Sequence, residues 1–196
     1  MSRIVVFNNV TLDGVLQGPG RPEEDRRDGF EHGGWAAPYA AMTSAGESTP
    51  NFSALLLGRW TYEDLYGYWP KQTNNPFTEA LNNMQKYVAS ATLKEPLPWS
   101  NSTLLRDDVA GAVAGLKTQQ GQDKDIVVMG SGVLIQTLMR HNLIDRYVLL
   151  IHPLVLGSGR RLFTDGGIPA TLRLIHARPT PSGVVVATYE PAESMT

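Results

Sequence analysis

Three short stretches carry residues whose chemistry and spacing suit ligand binding or catalysis. In "DIVVMGSGVLIQTL", residues 125–138, an apolar run that reads as a buried strand over Asp125 to Met129 stops on Gly130, Ser131 and Gly132. Val133, Leu134, Thr137 and Leu138 then recur at helical spacing on one face. Two glycines between a strand and a helix let backbone approach a ligand closely. The unpaired N–H groups of a first helical turn also carry a partial positive charge that suits a phosphate or another anion. A tight turn without a ligand fits the same residues. In "LLLGRWTYE", residues 55–63, Gly58 ends a strand and Arg59 and Thr61 follow. A guanidinium beside a hydroxyl can hold a phosphate, whereas an ion pair between Arg59 and Glu63 is the plain alternative. In "NNVTLDG", Asp13 follows the first strand with Gly14 behind it. An Asp-Gly pair makes a turn there, and the carboxyl end of a strand is also where a catalytic or ligand-orienting acid sits.

Other chemistries find little support. Ile135 occupies the third glycine position of a G-x-G-x-x-G fingerprint, and no Gly-Lys-Ser/Thr follows to make a P-loop. Gly-Ser-Gly occurs at 130–132 and 157–159, but neither is the G-x-S-x-G of a nucleophile elbow, which makes a hydrolase a distant reading. The chain has no cysteine, and His32, His141, His152 and His176 show no metal-ligand spacing, so no metal is expected. A formal net charge of −2 without a basic stripe argues against nucleic acid. The opening "IVVF" is too short for a membrane span or a signal segment, so a cytoplasmic protein without a membrane partner is expected. With 196 residues, 42% hydrophobic and 18% charged, the chain suits one globular domain over 1–196.

The elements that must position these residues alternate. Arg3 to Val10 reads as a strand, followed by the irregular "DGVLQGPGRPEEDRRDGFEHGGW", either a surface insertion or a functional loop in which Trp35 packs on something. "FSALLLG" reads as a buried strand, "RWTYEDLYGYW" as a short helical or irregular piece, "NPFTEALNNM" as a helix with Pro76 in its first turn, and "KYVAS" as a strand. Asp107 or Asp108 caps a helix over "VAGAVAGLKTQQ", with Gly121 just beyond. "RYVLLIHPLVLG" is a further strand, and two β-rich runs around Pro-Ser-Gly form a terminal hairpin. The fold class is therefore α/β, a mostly parallel sheet covered by helices with an antiparallel edge. Trp35, Trp60, Trp69 and Trp99 divide between core and pocket.

In this order the motifs resemble the dihydrofolate reductase-like superfamily, and within it stand-alone relatives of the reductase domain of the riboflavin-biosynthesis deaminase-reductase. "VTLDG" is similar to the S-L-D-G strand end of that branch, and "LLLGRWTYE" to its G-R-x-T element. "VVMGSGVLIQTL" resembles its strand, turn and helix, and "LIDRYVLLIHPLVLGSGRRLF" its strand ending in P-x-x-L-G-x-G. The resemblance implies a central, mainly parallel sheet of about eight strands with a C-terminal antiparallel hairpin. It also implies NADPH as cofactor, with Arg59, Trp60 and Thr61 at the adenosine-side phosphates. Ser90, Gly130, Ser131, Gly132, Val133 and Leu134 would then hold the pyrophosphate and ribose.

Some positions depart from that pattern. The deaminase signatures H-x-E and P-C-x-x-C are absent, and Met129 stands where the riboflavin enzyme has a substrate-contacting acid. Near the place where dihydrofolate reductases carry a pterin-binding carboxylate this chain has Met42, with Glu47 farther along. The expectation is an NADPH-dependent reductase that transfers hydride to a C=N or C=O bond of a small, pterin- or pyrimidine-like molecule. Asp13 would be the orienting acid or proton relay, and Thr11 and Trp35 would line the pocket. A non-catalytic NADP(H)-binding protein and a purely structural module are the alternatives. A homodimer is expected from the resemblance and from the apolar edge of the terminal hairpin.

Overall fold

The computed structural model describes residues 1–42, 50–119 and 124–193. Glu47 and Gly121 lie outside them. The strands are β1 (Arg3–Thr11), β2 (Phe52–Gly58), β3 (Gln85–Ala89), β4 (Ser102–Leu105), β5 (Asp125–Val128), β6 (Arg146–His152), β7 (Leu172–Pro179) and β8 (Val185–Pro191). The helices are α1 (Arg59–Tyr68), α2 (Pro76–Asn83), α3 (Val109–Gln119) and α4 (Gly132–Arg140). The strands form a mixed sheet in the order β4-β3-β2-β5-β1-β6-β8-β7. Two compact units make up the chain: Met1–Ile4 with Asn51–Leu143, and Val5–Pro50 with Ile144–Thr196.

In the first unit β2 runs parallel to β3 on one side and to β5 on the other. Ala54, Leu55, Leu56 and Leu57 are buried without interruption, as expected of a parallel strand covered on both faces. The edge strand β4 pairs in parallel with β3. The sequence reading missed it, because "STLL" is four residues long, half polar, and shows little periodicity. The Asn75 side chain accepts a hydrogen bond from the Phe77 N–H at 3.0 Å and caps α2, with Pro76 in the first turn as expected.

Of the two aspartates before α3, Asp108 is the cap, accepting from the Gly111 N–H at 2.8 Å. In α4 the buried stripe is Leu134, Ile135, Leu138 and Met139, one residue on from the face read in the sequence. Val133 is 76% exposed. The apolar run fills two overlapping faces of a helix, and packing on the sheet selects one of them. Lys86, a buried charge in β3, donates from Nζ to the carbonyls of Leu81 and Met84, both at 2.6 Å, at the C-terminal end of α2. Its Nζ also lies 4.5 Å from the centroid of the Trp99 ring. The ammonium thus satisfies carbonyls the helix leaves open, and burial lowers its pKa to about 8.

In the second unit β1 is parallel to β6, in register from Val5 opposite Arg146 to Thr11 opposite His152. β8 is antiparallel to β6 and to β7, which completes the expected hairpin. β6 stops at His152, short of the run read from the sequence, because Pro153 has no N–H to give the ladder. One core cluster joins Val5, Val148, Leu150, Val184 and Val186. A second joins Val15, Phe30, Trp35 and Ala36, with Leu154 and Leu156 packed against it. The long segment after β1 is therefore part of the core, with Trp35 as its anchor. Gly159 explains the end of the P-x-x-L-G-x-G motif: at φ +110° a Cβ would stand 2.7 Å from Phe30 and 2.8 Å from Val15.

Candidate functional site

In the first unit two helices begin beside one another at the ends of β2 and β5. Ser131, the residue before α4, has left-handed backbone with φ 57°. That conformation turns its side chain to α1: Ser131 Oγ accepts from the Gly58 N–H at 2.8 Å and donates to Thr61 Oγ1 at 3.0 Å. Gly130 is also left-handed, and a Cβ there would stand 2.7 Å from Thr61 Oγ1. Neither α1 nor α4 has a side-chain cap on its first turn. The hydroxyl network therefore fixes together two helix N-termini that no N-cap side chain caps.

Arg59 stands at the same place, its guanidinium 4.4 Å from the centroid of the Trp60 ring, and Trp60 is half exposed. Among the described residues no carboxylate pairs with Arg59, so the ion pair with Glu63 does not form. Of the remaining residues read as cofactor-binding, Val133 is exposed and Leu134 is buried in the α4 stripe. Ser90 is buried, and its Oγ accepts from the N–H groups of Thr92 at 3.1 Å and Leu93 at 3.0 Å, holding the turn after β3.

In the second unit the carboxyl ends of β1 and β6 carry Thr11, Asp13 and His152. Asp13 Oδ1 accepts from Thr11 Oγ1 at 2.6 Å and from the Leu156 N–H at 3.2 Å, and Oδ2 accepts from the Gly157 N–H at 2.8 Å. The Thr11 hydroxyl and these two amides hold its pKa down at about 2. Asp13 is thus an anion at neutral pH, closing the β1 turn onto the loop after β6. Arg161 braces the same turn, donating from Nε to the Asp13 carbonyl at 2.9 Å.

Trp35 is buried, and its Nε1–H donates to the Gln17 carbonyl at 2.7 Å. Its ring meets the imidazole of His152 edge-on, with centroids 5.1 Å apart. Tyr39 meets the same imidazole edge-on, also at 5.1 Å. His152 Nε2 lies 2.9 Å from Asn9 Oδ1, and burial lowers its pKa to about 4. The ring is therefore neutral, with Nε2 as the donor to Asn9. Sequence reasoning weighed His152 only as a metal ligand. Its pairing with Asn9 depends on strand register, which no local motif reveals.

Comparison with known proteins gives this geometry a family. The model of the RibD C-terminal domain matches residues 2–186. The chain belongs to that family. It is 31% identical over 192 residues to the uncharacterized protein YyaP of Bacillus subtilis (strain 168), covering 95% of this chain and 94% of that protein. Among solved structures it resembles a protein of Shewanella sp. PV-4 assigned to riboflavin biosynthesis, with a TM-score of 0.66, 19% identity, and coverage of 98% and 100% of the two chains. It also resembles dihydrofolate reductase from Enterococcus faecalis complexed with NADP(H), with a TM-score of 0.57, 14% identity and 97% coverage of each chain. These likenesses establish the dihydrofolate reductase-like fold, with its mostly parallel eight-stranded sheet and C-terminal hairpin. No helix among the described residues is long and apolar enough to cross a membrane.

Proposed function

We propose that the RibD C-terminal domain of this chain is an NADPH-dependent reductase of a small molecule with a C=N or C=O bond. The observation that carries the reading is Arg59: a guanidinium without a carboxylate partner among the described residues, stacked on Trp60 beside two helix N-termini that their N-cap side chains leave uncapped. A dinucleotide suits this donor set, because its phosphates need fixed backbone donors and a cation. Arg59, Trp60 and Thr61 hold the adenosine-side phosphates. Gly130, Ser131 and Gly132 bring backbone to the pyrophosphate, with Val133, Leu134 and Ser90 shaping its surroundings. NADPH supplies the hydride when bound, and the protein supplies orientation and electrostatics.

The second unit receives the substrate, with Thr11 and Trp35 at its wall. Asp13 acts there as an orienting anion. A carboxyl that stays ionised down to about pH 2 is a poor proton donor near neutrality, so the relay role expected for it gives way to this one. Titration of the purified protein with NADPH and NADH, followed by tryptophan quenching, tests the reading. Arg59→Ala should weaken NADPH by about tenfold or more and leave NADH nearly unchanged. Absence of NADPH binding by the wild-type protein would refute it.

A second copy of the chain is proposed as the partner. The edge strand β7 exposes Leu174 and Ile175, and an apolar edge of that length is a template for pairing. Sedimentation that gives a monomer at micromolar concentration would remove the dimer.

A further inference from the structure

We infer that Asn9 binds the substrate in the second unit, donating from its side-chain amide to a neutral carbonyl, and that His152 is the residue that positions this amide. The inference rests on the reductase reading above and deepens it.

Strand register brings the polar group together. β1 and β6 are parallel and in register, so Val5, Phe7, Asn9 and Thr11 share a face with Val148, Leu150 and His152. Towards the amino ends this face is apolar: Val5, Val148 and Leu150 form a core cluster with Val184 and Val186, and Phe7 packs against it. Towards the carboxyl ends, where ligands of open α/β sheets bind, it carries Asn9, Thr11 and His152.

Most polar groups here already have partners. The single hydroxyl proton of Thr11 goes to Asp13 Oδ1 at 2.6 Å, and its oxygen accepts from the Val15 N–H at 2.9 Å. Asp13 is ionised and only accepts. The Trp35 Nε1–H goes to the Gln17 carbonyl at 2.7 Å. His152 is buried, with Nε2 2.9 Å from Asn9 Oδ1 and Nδ1 without a hydrogen-bond partner among the described residues. Asn9 is only half buried, and its amide is engaged through Oδ1 alone. Its Nδ2 keeps two protons that no described residue accepts.

The histidine decides which way the amide faces. A neutral imidazole has one N–H. On Nδ1 it would be a buried donor without an acceptor, whereas on Nε2 it meets Asn9 Oδ1 and leaves only a lone pair unpaired, the lesser cost. Exchanging oxygen for nitrogen in Asn9 would then lose that bond and set two donors against each other. Trp35 and Tyr39 meet the imidazole edge-on, each with centroids 5.1 Å away, and hold the ring that holds the amide. An uncharged donor fixed in this way suits an uncharged acceptor, since it would not offset the desolvation of an anion. A ring carbonyl of a pyrimidine or pterin is such an acceptor.

The test is calorimetry with 5,6-diaminouracil, which has two ring carbonyls, and 2,4,5,6-tetraaminopyrimidine, in which amino groups replace both, where both rings are neutral. NADPH is titrated in parallel. The wild type should prefer the carbonyl ring by about tenfold. Asn9→Ala should abolish that preference, and Asn9→Asp, which presents only acceptors, should reverse it. His152→Leu should also abolish it, while His152→Gln, which returns a donor to Oδ1 but no ring, should regain most of it. A packing role alone for His152 would leave both variants equally impaired. Binding of neither ring by the wild type, a preference that survives Asn9→Ala, or no rescue by His152→Gln would overturn the inference. If the carbonyl ring binds through Asn9 while NADPH does not bind, the reductase reading falls and the Asn9 assignment stands.

Discussion

The two units treat an anion in opposite ways. In the first, Ser131 joins Gly58 to Thr61, and among the described residues no carboxylate pairs with the Arg59 guanidinium beside them. In the second, comparable donors are used internally: the Leu156 and Gly157 amides and the Thr11 hydroxyl all converge on Asp13. Both are strand ends followed by glycine-containing turns, so the motif alone does not distinguish them. The difference lies in whether the chain brings its own carboxylate to the turn. A turn that brings no carboxylate of its own is suited to a charged cofactor, and a turn that brings one is rigid and presents the side chains around it instead.

The largest effect expected on this contrast comes from Gly130→Val in the first unit. Valine at φ +56° is strained, and its Cβ would meet Thr61 Oγ1 at 2.7 Å. Thr61 must turn away, which breaks the hydroxyl link from Ser131 and separates the two helix starts. NADPH affinity should fall by about a hundredfold or more, whereas Asp13→Asn in the second unit should leave it nearly unchanged. Isothermal titration of the two variants with NADPH reads the two responses separately. Equal loss in both would show that the units do not divide the work in this way.

How much of this was legible beforehand follows from where the signals lie. The buried runs of β2, β5 and β6, the start of α2 at Pro76 and a cap at Asp107 or Asp108 are local, and sequence periodicity and residue type point to them directly. The donor cluster around Gly130 and Arg59 was legible because its residues fall in two short motifs. The Asp13 clasp was half legible: the carboxylate stands out in "TLDG", but its acceptor role depends on amides 143 and 144 residues further along the chain. His152 was illegible as a member of the site, because its neighbours Asn9, Trp35 and Tyr39 converge only through the β1–β6 register. Val133 misled because two overlapping helix faces are both apolar, and only tertiary packing chooses between them.

A smaller effect, confined to the second unit, follows from His152. Its imidazole is neutral in the folded protein, with a pKa lowered by burial from 6.5 to about 4. Between these values the unfolded chain binds a proton that the folded chain refuses, so unfolding free energy rises with pH across this window. Stability from this group is therefore complete above about pH 6.5 and is lost as the pH falls through about 4. The full shift corresponds to roughly 3 kcal/mol. Protonation would place a charge among buried aromatic rings and remove the lone pair of Nδ1, which is buried without a hydrogen-bond partner among the described residues. Urea unfolding at pH 7 and pH 4.5 should show the wild type losing most of that amount. His152→Gln keeps a donor for Asn9 but cannot titrate, so it should be less stable at pH 7 and lose less between the two pH values. An equal pH loss in both proteins would place the acid sensitivity in carboxylates such as Asp13, whose stabilisation is lost only below about pH 3.8 as the pH falls through about 2.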